Sequence, residues 1–133
     1  MTSHVYDTGI TTALNNFGTL LNNGTLKVYT GAQPAVDGAI TGTLLATVNF
    51  GATAFAAATA SGSGGSMAAN AMTAGTAVAT GTAGYFTLYE NGGTTVATGA
   101  CGTSGAELNL NTTAITLGDT VSVTSFTVTM AQP

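Results

Sequence analysis

An all-β fold is expected: a single-domain antiparallel β-sandwich, of jelly-roll or immunoglobulin-like type, with a short N-terminal helix or arm. Three observations point there. Short apolar-polar alternations recur along the chain and are separated by Gly, Asn and Asp. Thr, Ala and Gly make up about half of the residues, with abundant β-branched Thr and Val. No internal period of 20–50 residues and no composition break divides the 133 residues, a length that suits one core.

The elements follow in order. In "GITTALNNFGTLLNNG", Ile10, Leu14, Phe17 and Leu21 recur at helical spacing. Asp7 or Thr8 could cap such a helix, and the Asn-Asn-Gly run at 22–24 would stop it. We therefore divide the chain into an arm or helix over residues 1–24 and a β-sandwich over 25–133. "TLKVYTG" alternates, with Leu26 and Val28 on one face and Lys27 and Tyr29 on the other. "GAQPAVDGAITG" (31–42) reads as a loop, because Pro34 and three glycines discourage a regular element. "TLLATVNF" (43–50) is a strand, with Leu44, Ala46, Val48 and Phe50 on the expected core face.

The Ala-rich run from 52 to 75 fits helix or strand by propensity. "SGSGGS" (61–66) reads as a flexible tip, and strands on either side of it would form a hairpin. "GYFTLYENGGTTVATGA" is clearer. Tyr85, Thr87 and Tyr89 alternate with Phe86 and Leu88, and the Asn-Gly turn returns the chain as a hairpin. "GAELNLN" supplies Leu108 and Leu110. "LGD" (117–119) turns into a long strand over 120–130. Within that strand Val121 and Val123 share one parity while Phe126, Val128 and Met130 take the other. The switch predicts a bulge near Ser125. Seven or eight strands result.

Composition restricts function. Charged residues are 5% of the chain, against about 25% in ordinary soluble domains. Disordered chains are charged and poor in apolar residues, whereas 44% here are hydrophobic and the mean hydropathy is +0.38. Gly, Thr and Asn interrupt every apolar run, so no membrane span is expected. The net charge is −4, with Lys27 the only strong cation, which argues against nucleic acid as a partner. "MTSHVYDTG" shows neither the basic nor the apolar segment of a secretory signal, so synthesis in a cytoplasm is expected.

Chemistry is sparse. The acids Asp7, Asp37, Glu90, Glu107 and Asp119 are scattered, with no EF-hand spacing. His4 has no partner in sequence, Cys101 sits among small residues as a buried filler or, in the alternative, a reactive thiol, and a single Cys forbids an internal disulfide. "GTSGA" lacks the second Gly of a nucleophile elbow, and Lys27 follows Leu26 rather than a phosphate-cradling glycine. We expect no catalytic residue, no metal ligand and no cofactor. The Tyr85–Tyr89 face, with Tyr29, could stack on a sugar, although a strand buried on both faces produces the same pattern. The Thr abundance also fits an ice-binding surface, but its spacing is irregular.

Several phrases, taken together, resemble a family of small virion proteins of tailed bacteriophages. They are "LNNGTLKVYTGAQPAVDGAITGTLLATVNF", "ATGTAGYFTLYENGGTTVATG" and "GTSGAELNLNTTAITLGDTVSVTSFTVTM", in that order, covering residues 21 to 130. The intervening "SGSGGSMAANAM" departs from the pattern in being richer in glycine. The resemblance implies a non-enzymatic structural role, of the decoration or cement type, on the outer surface of the head. It implies the major capsid protein as partner, a virion location, and a homo-oligomer, trimer or dimer. A tail or fibre component is the alternative in the same class, and a carbohydrate-binding module the alternative outside it. The apolar positions of the arm, Val5, Tyr6, Ile10, Leu14 and Phe17, are the expected contacts with the capsid or with another copy.

Overall fold

A computed structural model of the chain describes residues 4–62 and 64–131. Its one helix, α1, spans Asp7–Leu20, where the apolar spacing places it. Tyr6 precedes it without a side-chain cap. Asp7 is turned elsewhere: its carboxylate accepts a hydrogen bond from the backbone N–H of Gly62 at 3.1 Å. The helix stops as expected. Leu21 and Asn22 donate back to Gly18 and Thr19, and Asn23 takes the left-handed conformation at φ 59°, which Asn tolerates better than most residues.

Eleven strands follow among the described residues: β1 (Thr25–Thr30), β2 (Leu44–Asn49), β3 (Thr59–Ala60), β4 (Gly64–Ala68), β5 (Gly75–Thr76), β6 (Gly81–Tyr89), β7 (Thr95–Gly102), β8 (Leu108–Leu110), β9 (Ala114–Ile115), β10 (Thr120–Val121) and β11 (Val123–Ala131). The count exceeds seven or eight because two-residue strands form and because the segment expected as one strand divides at Ser122. Nine strands make one sheet in the order β2-β1-β6-β7-β8-β11-β4-β3, with β9 attached to β6; β10 and β5 pair separately. Every ladder is antiparallel except β7–β8, a short parallel contact of Cys101 with Leu108 and Gly102 with Asn109. The fold is all-β, in one domain with a short N-terminal helix.

The sheet curls so that its two halves face each other. Phe86 of β6 and Phe126 of β11 meet edge-on, with ring centroids 5.2 Å apart. Phe126 also packs on Phe55 at 5.5 Å and on Phe50 at 6.5 Å. Leu26, Val28, Ala46, Val48, Leu88, Leu108 and Leu110 fill the remainder. Edge-on and tilted rings suit the aromatic quadrupole.

Of four register irregularities among the described ladders, two explain the parity of β11 and β2. Between β11 and β8, Val123 opposes Leu110 and Ser125 opposes Asn109, so Thr124 is skipped. This is the irregularity that the change of parity predicts. The second was not legible. Between β1 and β2, Val28 opposes Ala46 and Tyr29 opposes Leu44, so Leu45 is skipped. Strict alternation places Leu44 inside and Leu45 outside. Instead Leu45 is fully buried and Leu44 only partly, because the bulge shifts the face by one residue.

The Ala-rich segment is held by the helix. Asn22 Oδ1 accepts from Ala54 N at 2.8 Å, Asn15 Oδ1 accepts from Ala58 N at 2.9 Å, and Asp7 accepts from Gly62 N. Two polar helix side chains and one from the turn after the helix thus satisfy backbone donors along one extended segment, which leads into the β3–β4 hairpin. Gly65 of β4 lets the helix approach. A Cβ there would lie 2.5 Å from Ile10 Cγ2 and 3.1 Å from Leu14 Cδ1. The glycine-rich tip is therefore partly strand, and its composition reflects close packing as well as turning.

Candidate interaction surface

The five residues expected to form an arm contact separate into two sets. Ile10 and Leu14 are each 1% exposed and belong to the chain's own core. Phe17 packs against the same core and is half-buried. This corrects the expectation for these three: the apolar stripe of α1 is covered by β4 and β3, and it is not offered to a partner. Val5 and Tyr6 remain at the surface, Tyr6 at 80% exposure. Periodicity signalled burial correctly and could not say against what. The helix shares one hydrophobic cluster with the strands, so removing residues before Gly24 would open that core rather than release an independent arm.

Other apolar side chains are exposed. Val36 in the 31–42 loop is 94% exposed, and Leu20, Val78 and Leu117 also reach solvent. Val78 and Leu117 lie at one end of the molecule, where Gly118 N donates to Ala77 O at 3.0 Å and Leu117 N to Thr80 Oγ1 at 2.9 Å. Carboxylates stand beside two of these positions, Asp37 next to Val36 and Asp119 two residues after Leu117, whereas the chain's one Lys, Lys27, lies over the Tyr89 ring, with Nζ 5.0 Å from its centroid.

The tyrosine face is built from β1 and β6. Tyr29 and Tyr85 stack at 5.4 Å with planes 12° apart. The Tyr85 hydroxyl donates to the Thr41 carbonyl and accepts from Thr41 N, so the 31–42 loop closes over it. Tyr85 is fully buried, and its ring is not available to stack on a ligand. The Tyr29 and Tyr89 hydroxyls lie 3.4 Å apart. Thr87 Oγ1 is buried with no partner in hydrogen-bonding geometry, yet lies close enough to both phenols to favour their ionised forms.

Burial, together with the neighbouring Tyr89, pushes the Tyr29 phenol up to about 12. Burial opposes ionisation of Tyr89 as well. There the Thr87 and Tyr29 hydroxyls and the Lys27 charge prevail and hold the phenol below the usual tyrosine range. The pair therefore loses its protons in two steps. An absorbance titration near 295 nm is expected to show one tyrosine ionising below pH 10 and one near 12. Tyr29→Phe should remove the upper step. The sign for stability follows. Tyr29 binds its proton more tightly folded than unfolded, so its contribution is complete below about pH 10 and is lost as pH rises toward 12. Denaturant midpoints measured across that range check it.

Cys101 is half-buried and unpaired, and burial raises its thiol pKa, which suits packing better than nucleophilic work. His4 is exposed. Among the described residues, no three of His, Cys, Asp and Glu gather as metal ligands. A groove of about 500 Å³ runs between the 31–42 loop and residues 95–98 of β7. Gln33 Nε2 spans it by donating to Thr98 Oγ1 at 3.0 Å.

Comparison with known proteins yields no match to a family model, to a curated protein or to a solved structure.

Proposed function

We propose that the protein is a non-enzymatic structural component of a bacteriophage virion, decorating the outer head surface and stabilising the shell. The observation that supports this reading best is the combination of a well-packed β core with a nearly chargeless exterior that leaves Tyr6, Val36, Val78 and Leu117 exposed. Burying hydroxyl-bearing and small apolar groups costs less desolvation than burying Lys or Glu. Such a surface suits docking onto a large partner by area rather than by charge. On a shell the contact repeats many times, so weak individual contacts suffice. The major capsid protein is the partner, and self-association into a dimer or trimer accompanies it.

The test is co-sedimentation of the protein with purified particles after heads and tails are separated. Recovery with heads in many copies, and earlier bursting of stripped heads on heating, is the expected result. Recovery with tails alone would assign it to the tail or a fibre, and absence from both would end the virion reading. Point variants are the right probe of the N-terminal contact, because truncation would damage the core. Tyr6→Ala is expected to leave thermal stability within about 0.5 kcal/mol, as exposed positions do, while reducing the amount bound to heads.

A further inference from the structure

Residues 95–100 of β7 pair with β6 on one side. On the other side β7 meets β8 only at Cys101 and Gly102. Among the described residues, the run "TVATGA" therefore has a strand edge with no strand beside it. It contains no charge and no proline, two of the devices by which natural edges are protected, and carries a third only near its start, a bulge where the β6–β7 register skips Val96. The remaining edges are treated differently. The outer side of β2 is covered: Val78 N donates to Leu45 O at 2.8 Å, and Asn49 and Thr73 exchange bonds of 3.2 and 3.0 Å. The terminal strand β3 is only two residues long.

The unpaired edge faces a built groove. Four consecutive residues, 95–98, form one wall. Ala97 and Thr98, beyond the bulge at Val96, point to opposite faces, so a groove that meets both runs along the edge rather than over a face. Ala35, Asp37 and Ile40 stand on the opposite wall, and an occupant must displace the side-chain hydrogen bond from Gln33 to Thr98. An extended segment of four residues measures about 13 Å, and the volume of about 500 Å³ takes a single chain. A second copy's β7 fits poorly, because it arrives with β6 attached and the loop stands where that strand must lie. The lining includes Asp37 and no Lys or Arg. It therefore favours a basic or neutral occupant over an acidic one.

We propose that this groove receives an extended, non-acidic segment of another protein chain, which adds to β7 as a further strand. Backbone hydrogen bonds would supply most of the affinity, and the loop would set the charge preference. The inference does not rest on the virion reading.

The experiment is an NMR titration of the ¹⁵N-labelled protein with a capped heptapeptide of alternating Thr and Val carrying one central Lys. The expected result is shifts and slowed amide exchange concentrated in residues 95–100, on alternate amides. A peptide N-methylated at every second amide should lose binding, and a Glu-for-Lys peptide should bind several-fold more weakly. Asp37→Asn should abolish that difference while leaving the fold unchanged, since Asn also accepts the left-handed backbone found there (φ 58°). Absence of shifts at millimolar peptide would overturn the proposal. So would binding that survives N-methylation. Protection of the same amides that grows with protein concentration, without peptide, would overturn it in favour of a second copy.

Discussion

Phe126→Ala is expected to lower the melting temperature by about 10–20 °C. Phe126 is 3% exposed and touches three other rings: Phe50, Phe55 and Phe86. These rings come from separate parts of the chain. Phe86 is on β6, Phe50 follows β2, and Phe55 begins the segment tied to the helix. The ring of Phe126 therefore joins the two halves of the curled sheet and the Ala-rich segment at one point. Burial of a large aromatic, with a cavity left behind, is worth about 3–5 kcal/mol. Each kcal/mol moves the midpoint by roughly 3–5 °C for a domain of this size. Calorimetry measures it directly. Val128→Ala is the contrast, since Val128 is only partly buried on the same strand, and a shift of about a third as much is expected there. Equal shifts for the two variants would show that the halves are not joined through the ring cluster.

What the sequence disclosed and what it withheld divide along a physical line. Strands with a clean contrast between faces were legible. Leu26 and Val28 are fully buried while Lys27 and Tyr29 are not, as two-residue periodicity requires. The change of parity across Ser125 announced its bulge. The stretch from Ala52 to Gly75 was opaque because Ala, Gly and Ser differ too little in size and polarity to mark a face. Its path is fixed from outside, by Asp7 and Asn15 on the helix, by Asn22 in the turn after it, and by the space that Gly65 leaves for Ile10. Asn15, a weak helix former by propensity, and Asn22 are among the residues that hold that segment.

The interaction surface was less legible for a related reason. Ile10, Leu14 and Phe17 form a stripe whose spacing demands an apolar neighbour, and a neighbour within the chain satisfies that demand as well as a capsid would. The open edge at residues 95–100 leaves no mark in "TVATGA" itself. An edge is defined by the missing partner, and β8 is too short to supply one. The tyrosine alternation on β6 gave a correct strand and an ambiguous use. The structure answers for Tyr85 alone, over which Thr41 of the 31–42 loop closes, while Tyr29 and Tyr89 are only partly buried.

That loop is also the basis of the second large effect. Gly84→Ala is expected to destabilise the fold by about 3 kcal/mol or more, at or above the upper end of overpacking costs. On the β1–β6 ladder Tyr29 opposes Tyr85 and Thr30 opposes Ala83, so Gly84 has no opposite residue. The space where its side chain would stand is filled by backbone: a Cβ would lie 1.8 Å from the carbonyl oxygen of Gly31 and 2.9 Å from its carbon. Neither atom can rotate away as a side-chain tip can. One strand must withdraw from the other, and Gly31 is where β1 hands over to the 31–42 loop. Gly51→Ala is the matched control, because its Cβ would meet nothing within 4 Å and its backbone is not left-handed. That variant should stay within about 0.5 kcal/mol of the parent. A further consequence separates local strain from general loosening. Displacing Gly31 moves the loop that covers Tyr85 and walls the groove beside Thr98. In Gly84→Ala the high-pH ionisation of Tyr29 should therefore fall from about 12 toward the ordinary tyrosine value, at temperatures where the protein remains folded. A variant that lost stability but kept that titration would place the strain elsewhere than at the root of the loop.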